Sequence, residues 1–239
     1  MSLDILLPIY NEEAILADNA KLLLAYAERH LADDWMITLI INGSSDQSLA
    51  IAESLAQSSP RFKIISLKEG GKGRALKAGL ATTTADIAVY MDIDLAVSLE
   101  ALLPLIEAIS RQNADLAIGS RLLPQAQTER SWLREGSSRA YNRLAGALLG
   151  CKISDLQCGF KAIRQSAIKP ILAKIKDDAW FFDTELIFWA NQLGFRLAEI
   201  PVSWSENRYA KRQSKIKLSR DPFIFLKKLF KLRSHLKKL

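Results

Sequence analysis

The sequence predicts an α/β fold with a mostly parallel central sheet. Three features carry that expectation. Short apolar, β-branched runs alternate with longer segments of helical spacing, the runs are apolar at nearly every position, and polar clusters stand where the runs end. Continuously apolar strands are buried on both faces, and alternation with helices supplies the crossovers that parallel pairing requires.

The elements follow in chain order. Leu3–Leu7 reads as a buried strand closed by Pro8, and Glu12 to about His30 carries helical spacing. Met36–Ile41 is a strand ending at the turn signal Asn42-Gly43, and Asp46–Gln57 is a helix with Asp46 placed to cap it. Phe62–Leu67 is a strand, Gly70–Gly73 a loop, Arg74–Thr82 a helix, and Ile87–Met91 a strand that runs into Asp92-Ile93-Asp94. Ser98–Arg111 is a helix capped by Ser98, with Pro104 as its weak point, and Leu116–Ile118 is a short strand. Farther on, Gly136–Leu149 and Asp183–Leu193 read as helices, Gly159–Ile163 and Phe195–Ile200 as strands, and the tail from about Asp221 as a basic amphipathic helix. Ligands of open parallel sheets sit at the carboxyl ends of the strands. The polar clusters there are Tyr10-Asn11-Glu12, Asn42-Gly43-Ser44, Asp92/Asp94 and Ser120-Arg121.

With 239 residues, 49% of them apolar, and no linker or repeat, one sizeable core is expected over residues 1–217, with 218–239 as an appended helix. Two cysteines, Cys151 and Cys158, make neither a disulfide framework nor a zinc pattern, which fits a reducing cytoplasm. Met1–Glu13 lacks the basic region of a signal peptide, and no apolar run reaches the roughly 18–20 residues of a membrane-spanning helix. The net charge of +7 is uneven: Asn207–Leu239 carries +11, leaving −4 for the rest. Such a tail seeks an anionic surface. No recognisable nucleic-acid fold accompanies it, so a non-catalytic nucleic-acid-binding module is the remotest reading and no nucleic-acid partner is expected.

Asp92 and Asp94 stand two apart after a strand, where extended backbone points both carboxylates one way. Paired carboxylates suit a hard divalent cation, Mg²⁺ or Mn²⁺, that bridges substrate phosphates and offsets charge on a departing diphosphate. Gly70-Gly71-Lys72-Gly73-Arg74 offers backbone N–H groups and Lys72 to phosphates at a helix start, without the spacing of a P-loop or a dinucleotide fingerprint. Pro8-Ile9-Tyr10-Asn11-Glu12 closes a strand with a ring that can stack on a base and polar groups that can reach a ribose.

In order and approximate spacing these motifs resemble the family-2 glycosyltransferases. The resemblance extends through Gly119-Ser120-Arg121, Arg134 with Ser138-Arg139, Asp155-Leu156-Gln157-Cys158-Gly159-Phe160-Lys161, Phe182-Asp183-Thr184-Glu185 and Glu199-Ile200-Pro201. These look like the polyprenyl-phosphate branch, which includes the dolichyl-phosphate glucose and mannose synthases. The run from Asp155 to Lys161 and Trp204-Ser205-Glu206 lie nearer the glucose synthases. The resemblance implies a GT-A, Rossmann-like nucleotide-diphospho-sugar transferase fold and inverting transfer of a hexose from a nucleoside diphosphate sugar to a polyprenyl phosphate. UDP-glucose is the favoured donor, GDP-mannose the alternative, and a polysaccharide or glycolipid acceptor a further one.

Carried over residue by residue, the resemblance assigns the donor to Pro8, Tyr10, Glu12, Asn42, Lys72, Asp92, Gln157, Asp183 and Glu185. It assigns the metal to Asp92 and Asp94, catalysis to Asp94, Arg121, Arg134 and Ser138, and the acceptor phosphate to Arg121, Arg134, Ser138 and Lys215. Arginine suits phosphate because its planar fork binds two oxygens and stays charged. A phosphate monoester is already a charged nucleophile, so no catalytic histidine is required, and His30 and His235 stand apart from every motif. The chain departs from the pattern at Asn42, where many relatives have an aspartate, and before the late Ser214-Lys215, where Arg212-Gln213 stands in place of the family's glycine. In the tail, Phe225, Leu229, Leu232, Leu236 and Leu239 form one apolar stripe among Lys227, Lys228, Lys231, Arg233, Lys237 and Lys238. This is the pattern of an interfacial helix on an anionic leaflet, and it places the protein peripherally on the cytoplasmic face of a membrane.

Overall fold

The computed structural model describes residues 1–32, 34–129, 132–205 and 221–236. In chain order it forms β1 (Leu3–Ile9), α1 (Leu16–His30), β2 (Trp35–Asn42), α2 (Ser48–Ser58), β3 (Phe62–Leu67), α3 (Lys72–Thr82) and β4 (Ile87–Tyr90). A 3₁₀ turn (Leu99–Ala101) then leads into α4 (Leu102–Ser110), β5 (Leu116–Ser120), β6 (Gln127–Glu129), α5 (Trp132–Leu149) and β7 (Lys161–Arg164). The chain ends in α6 (Gln165–Leu172), α7 (Phe182–Gln192), β8 (Leu197–Pro201), β9 (Ser203–Ser205) and α8 (Asp221–Leu236).

The main sheet has the order β3-β2-β1-β4-β7-β5-β8. All its pairings are parallel except those of β7, which runs antiparallel to both β4 and β5. The reason lies in the route of the chain. After β5 it makes a long excursion and re-enters at the same end of the sheet, so the returning strand must point the other way. β6 and β9 pair as a separate two-stranded ladder.

Alternation along the strands sorts the core onto two faces. Leu3, Ile5, Leu7 and Ile9 of β1 pack with α1, α2 and α4, whereas Leu6 packs with α3 on the other face. α5, α6, α7 and α8 complete that second face. One expected boundary shifts by a turn. Asn11 adopts φ +49°, and the Glu12 N–H bonds the Ser48 hydroxyl at 2.9 Å, so α1 begins at Leu16 rather than Glu12. Pro104 does not break α4. It sits in the first turn, where its missing N–H has no intrahelical partner to lose.

The tail helix corrects the sequence reading. Phe225, Leu229 and Leu232, three of the five stripe residues, are buried among Phe181, Leu186, Leu149 and their neighbours. The Phe225 ring lies 5.7 Å from those of Tyr141 and Phe181. A stripe packed into its own core is not available to a headgroup layer. The Leu236 side chain and Leu239 lie outside the described structure. Lys227, Lys231 and Arg233 stay exposed, with Phe230 among them at 58%. Leu229→Ala is therefore expected to cost about 2–5 kcal/mol, read as a lower urea midpoint, whereas Lys227→Ala should change stability by less than about 0.5 kcal/mol.

Candidate active site

The carboxyl ends of β1, β2, β4 and β5 and the amino end of β7 open on one edge of the sheet, at the point where the strand order reverses between β1 and β4. Past β4 the burial alternates: Met91, Ile93 and Leu95 are buried, while Asp92 and Asp94 are half-exposed. The apolar side chains anchor this segment in the first core face. The segment is a turn rather than the extended backbone expected, closed by the Leu95 N–H on the Asp92 carbonyl at 3.2 Å, and it leaves both carboxylates half-exposed. Asp94 Oδ1 also accepts the Ala96 N–H at 3.1 Å.

Lys72, the first residue of α3, reaches this pair from the second face. Its ammonium lies 2.8 Å from Asp92 Oδ1, 3.7 Å from Asp183 Oδ2 and 5.4 Å from the centre of the Trp180 ring. Burial opposes the charge, but the Asp92 and Asp183 carboxylates outweigh it and hold the Lys72 pKa above the usual lysine value. Asp183 is only 2% exposed, and its Oδ1 binds the Tyr90 hydroxyl at 2.5 Å and Lys161 Nζ at 2.6 Å. Register explains the meeting. Tyr90 and Lys161 are paired across β4 and β7 and face α7 together. Asp183 is thus a buried holder of Lys72, not the sugar contact assigned from sequence.

Two further assignments change. The N–H groups of Gly73 and Arg74 donate to the carbonyls of Ala179 and Asp178 at 3.1 Å, so they do not wait for a phosphate. The glycines serve this packing instead: a Cβ on Gly73 would stand 2.7 Å from the Asp177 carbonyl oxygen. Glu185 Oε2 accepts the N–H groups of Lys176 and Asp177 at 2.8 and 2.9 Å, fixing the turn before α7 rather than facing the donor.

Gly159 lies directly over the carboxylates. A Cβ there would collide with Asp92 Oδ2 and stand 2.6 Å from Lys72 Nζ. Both are side-chain ends rather than backbone, so Gly159→Ala should fold. It should nevertheless displace the site, lowering kcat/KM at least about tenfold with little change in Tm, in line with the sensitivity of catalysis to small misplacements.

Arg121 follows β5 and is held by Asp155. Arg121 Nε and Nη2 donate to the two Asp155 oxygens at 2.7 and 2.9 Å, leaving Nη1 as the nitrogen not engaged by this carboxylate. Asp155 is fully buried. Burial raises its pKa, but the Arg121 guanidinium overrides that and holds the carboxyl below its usual range. The Arg121 guanidinium also lies 5.8 Å from the centre of the Trp204 ring. Ser138 sits half-buried on α5, where its hydroxyl meets Asn142 Nδ2 at 3.4 Å, and Arg139 pairs with Glu135 at 2.5 Å. Gln157 is half-buried, its N–H on Asp155 Oδ1 at 3.2 Å. The Arg134 side chain and Lys215 lie outside the described structure. Burial pushes the Cys158 thiol up to about 11, which makes it a poor nucleophile.

The residues expected to meet a nucleotide stand at the ends of β1 and β2. Pro8 is half-buried and Tyr10 is 44% exposed, its ring facing Gly70, where a Cβ would lie 3.5 Å away. Glu12 is buried. Asn42 is 3% exposed, and its side-chain carbonyl has no hydrogen-bond partner among the described residues. A buried acceptor without a donor is unusual and calls for an explanation.

The donor set fits Mg²⁺ or Mn²⁺ in one specific way. Asp92 and Asp94 supply hard oxygens, and the Asp92 side chain is 42% exposed. Among the described residues no group of three His, Cys, Asp or Glu side chains could hold a metal alone. The remaining ligands would come from phosphate oxygens and water, as is usual for Mg²⁺. Sequence reading did not assign Tyr90, Asp155 or Lys161. The legible signal was a lysine inside an apolar run, since a buried lysine demands a carboxylate.

Fold and site together define a GT-A α/β protein. The profile of glycosyl transferase family 2 matches residues 4–172, and the chain belongs to that family. It is 33% identical over 92% of its length to Glycosyltransferase AglD of Haloferax volcanii, of which it spans 35%. It is 26% identical over 85% of its length to the dolichyl-phosphate beta-glucosyltransferase of Dictyostelium discoideum, of which it spans 66%. Among solved structures, glucosyl-3-phosphoglycerate synthase of Mycobacterium tuberculosis in complex with UDP superposes with a TM-score of 0.67 at 17% identity, covering 98% of this chain and 80% of that one. The same enzyme has also been crystallised with Mn²⁺, UDP and glucosyl-3-phosphoglycerate. No described helix is long and apolar enough to cross a membrane.

Proposed function

We propose that the chain transfers a hexose, glucose in the favoured case, from a nucleoside diphosphate sugar to the phosphate of a polyprenyl carrier. The observation that carries the reading is the carboxylate pair at the end of β4, with Lys72 on one side and the Asp155-held Arg121 at the same edge of the sheet. The relatives named dolichyl-phosphate beta-glucosyltransferase support the choice of substrates.

Tyr10 takes the base against its ring, and the unpartnered Asn42 carbonyl accepts the imide N–H of uracil. Asp92 and Asp94 would hold a divalent cation, which would supply positive charge against the departing diphosphate. Arg121 Nη1, Arg134 and Ser138, joined by Lys215, orient the acceptor phosphate. One of its oxygens attacks the anomeric carbon from the face opposite the diphosphate. The carbon–oxygen bond to the diphosphate breaks, its electron pair leaves with the nucleotide, and configuration inverts. No general base is needed, because the nucleophile is already an anion. Catalysis is then positioning and electrostatics.

The exposed cations of α8 set the chain on the anionic cytoplasmic leaflet that holds the carrier. The test is incubation with polyprenyl phosphate, Mn²⁺ and UDP-glucose or GDP-mannose in parallel. The expected result is a lipid phosphate heavier by one hexose from UDP-glucose. Absence of hexosyl lipid with every donor would refute the reading.

A further inference from the structure

Five charged side chains crowd the end of β4. Lys72 touches Asp92 and Asp183, Lys161 touches Asp183, and Asp94 stands beside them. Together they carry −1. We propose that Lys72 is an internal counterion that makes cation binding at Asp92 and Asp94 conditional on the nucleotide diphosphate, an inference that rests on the function proposed above.

The geometry denies Lys72 an easy exit. Its side chain is 8% exposed against 42% for Asp92, so the ammonium sits beneath the carboxylate rather than out in the cleft. The root of the residue is fixed, because the next two N–H groups bond Ala179 and Asp178. Tyr90 and Lys161 both occupy Asp183 Oδ1, which leaves Oδ2 toward Lys72. Asp183, Tyr90 and Lys161 are thus positioning residues for one ammonium, which lies 2.8 Å from Asp92 Oδ1.

The charge balance has a functional consequence. A divalent cation arriving alone would turn a −1 cluster into +1 in a half-buried place, next to an ammonium already on one ligand oxygen. A diphosphate arriving with the cation brings compensating negative charge. Cation and nucleotide therefore bind together, and the empty site resists loading with metal alone. Coupling of this kind is reciprocal between the two ligands.

The test is Mn²⁺ uptake by the full chain, followed through the paramagnetic resonance signal of free Mn²⁺, with and without UDP. The wild type is expected to bind Mn²⁺ weakly alone and much more tightly with UDP. Lys72→Met should bind Mn²⁺ alone at least about fivefold more tightly than the wild type, since a unit charge within a few ångströms of the ligand oxygens is gone. The gain from adding UDP should shrink by a similar factor. Lys72→Arg, which keeps the charge, should behave as the wild type does, and Lys72→Gln repeats the comparison should the methionine variant fold poorly. Unchanged or weaker Mn²⁺ binding in a natively melting K72M or K72Q overturns the inference alone. Failure of the wild type to take up Mn²⁺ even with UDP instead removes the cation from the proposed function, and the inference with it.

Discussion

Replacing Asp94 with asparagine is expected to lower kcat/KM for sugar transfer by about 10²–10³-fold, the scale seen when one preorganised charge-stabilising group is lost. The substitution isolates charge. Asp94 Oδ1 accepts the Ala96 N–H, a bond the asparagine carbonyl can keep, and the side chain is half-exposed, so the fold loses nothing of consequence. Asp94→Ala should be equally inactive. If asparagine restored most of the activity that alanine lost, Asp94 would be holding a turn and not a cation. Steady-state kinetics at several Mn²⁺ concentrations, together with thermal melting of both variants, separates the two cases.

The second large effect falls on stability. Asp155→Ala should cost about 3–5 kcal/mol, because it strands a guanidinium in the protein interior. The Arg121 side chain is 16% exposed and Asp155 fully buried, and two of the three guanidinium nitrogens are bound to that one carboxylate. The pH dependence has a definite sign. The folded-state pKa of Asp155 is depressed, so its contribution is complete above the ordinary carboxylate pKa of about 3.9 and is lost as pH falls toward the lower folded value. The acid limb of the stability profile should be flatter in Asp155→Ala than in the wild type. Urea midpoints between pH 3 and pH 7 read both effects.

The parallel part of the sheet was legible because its strands are apolar at almost every position and its turns carry the expected residues, as at Asn42-Gly43. The edge that holds the site was legible for the same reason. What sequence alone left hidden depends on long-range contact. The reversed direction of β7 follows from the route of the excursion after β5, which local spacing does not record. α6 carries Pro170 inside it and gave no helical signal. The membrane-like stripe of α8 illustrates a general ambiguity: one apolar face among lysines suits a lipid boundary and a protein core equally, and only the packing of Phe225, Leu229 and Leu232 decides. Asp183 and Glu185 sit two apart in one helix, yet one holds Lys72 and the other a turn.

The central claim is that Asp92 and Asp94 hold a cation against the diphosphate of a sugar nucleotide. Crystals of the protein grown with UDP-glucose and Mn²⁺, measured at the manganese absorption edge, test it most directly. The account predicts one strong anomalous peak between the Asp92 and Asp94 carboxylates and the diphosphate, with the uracil beside Tyr10 and Asn42. A nucleotide bound elsewhere, or a manganese peak distant from both carboxylates, would contradict it.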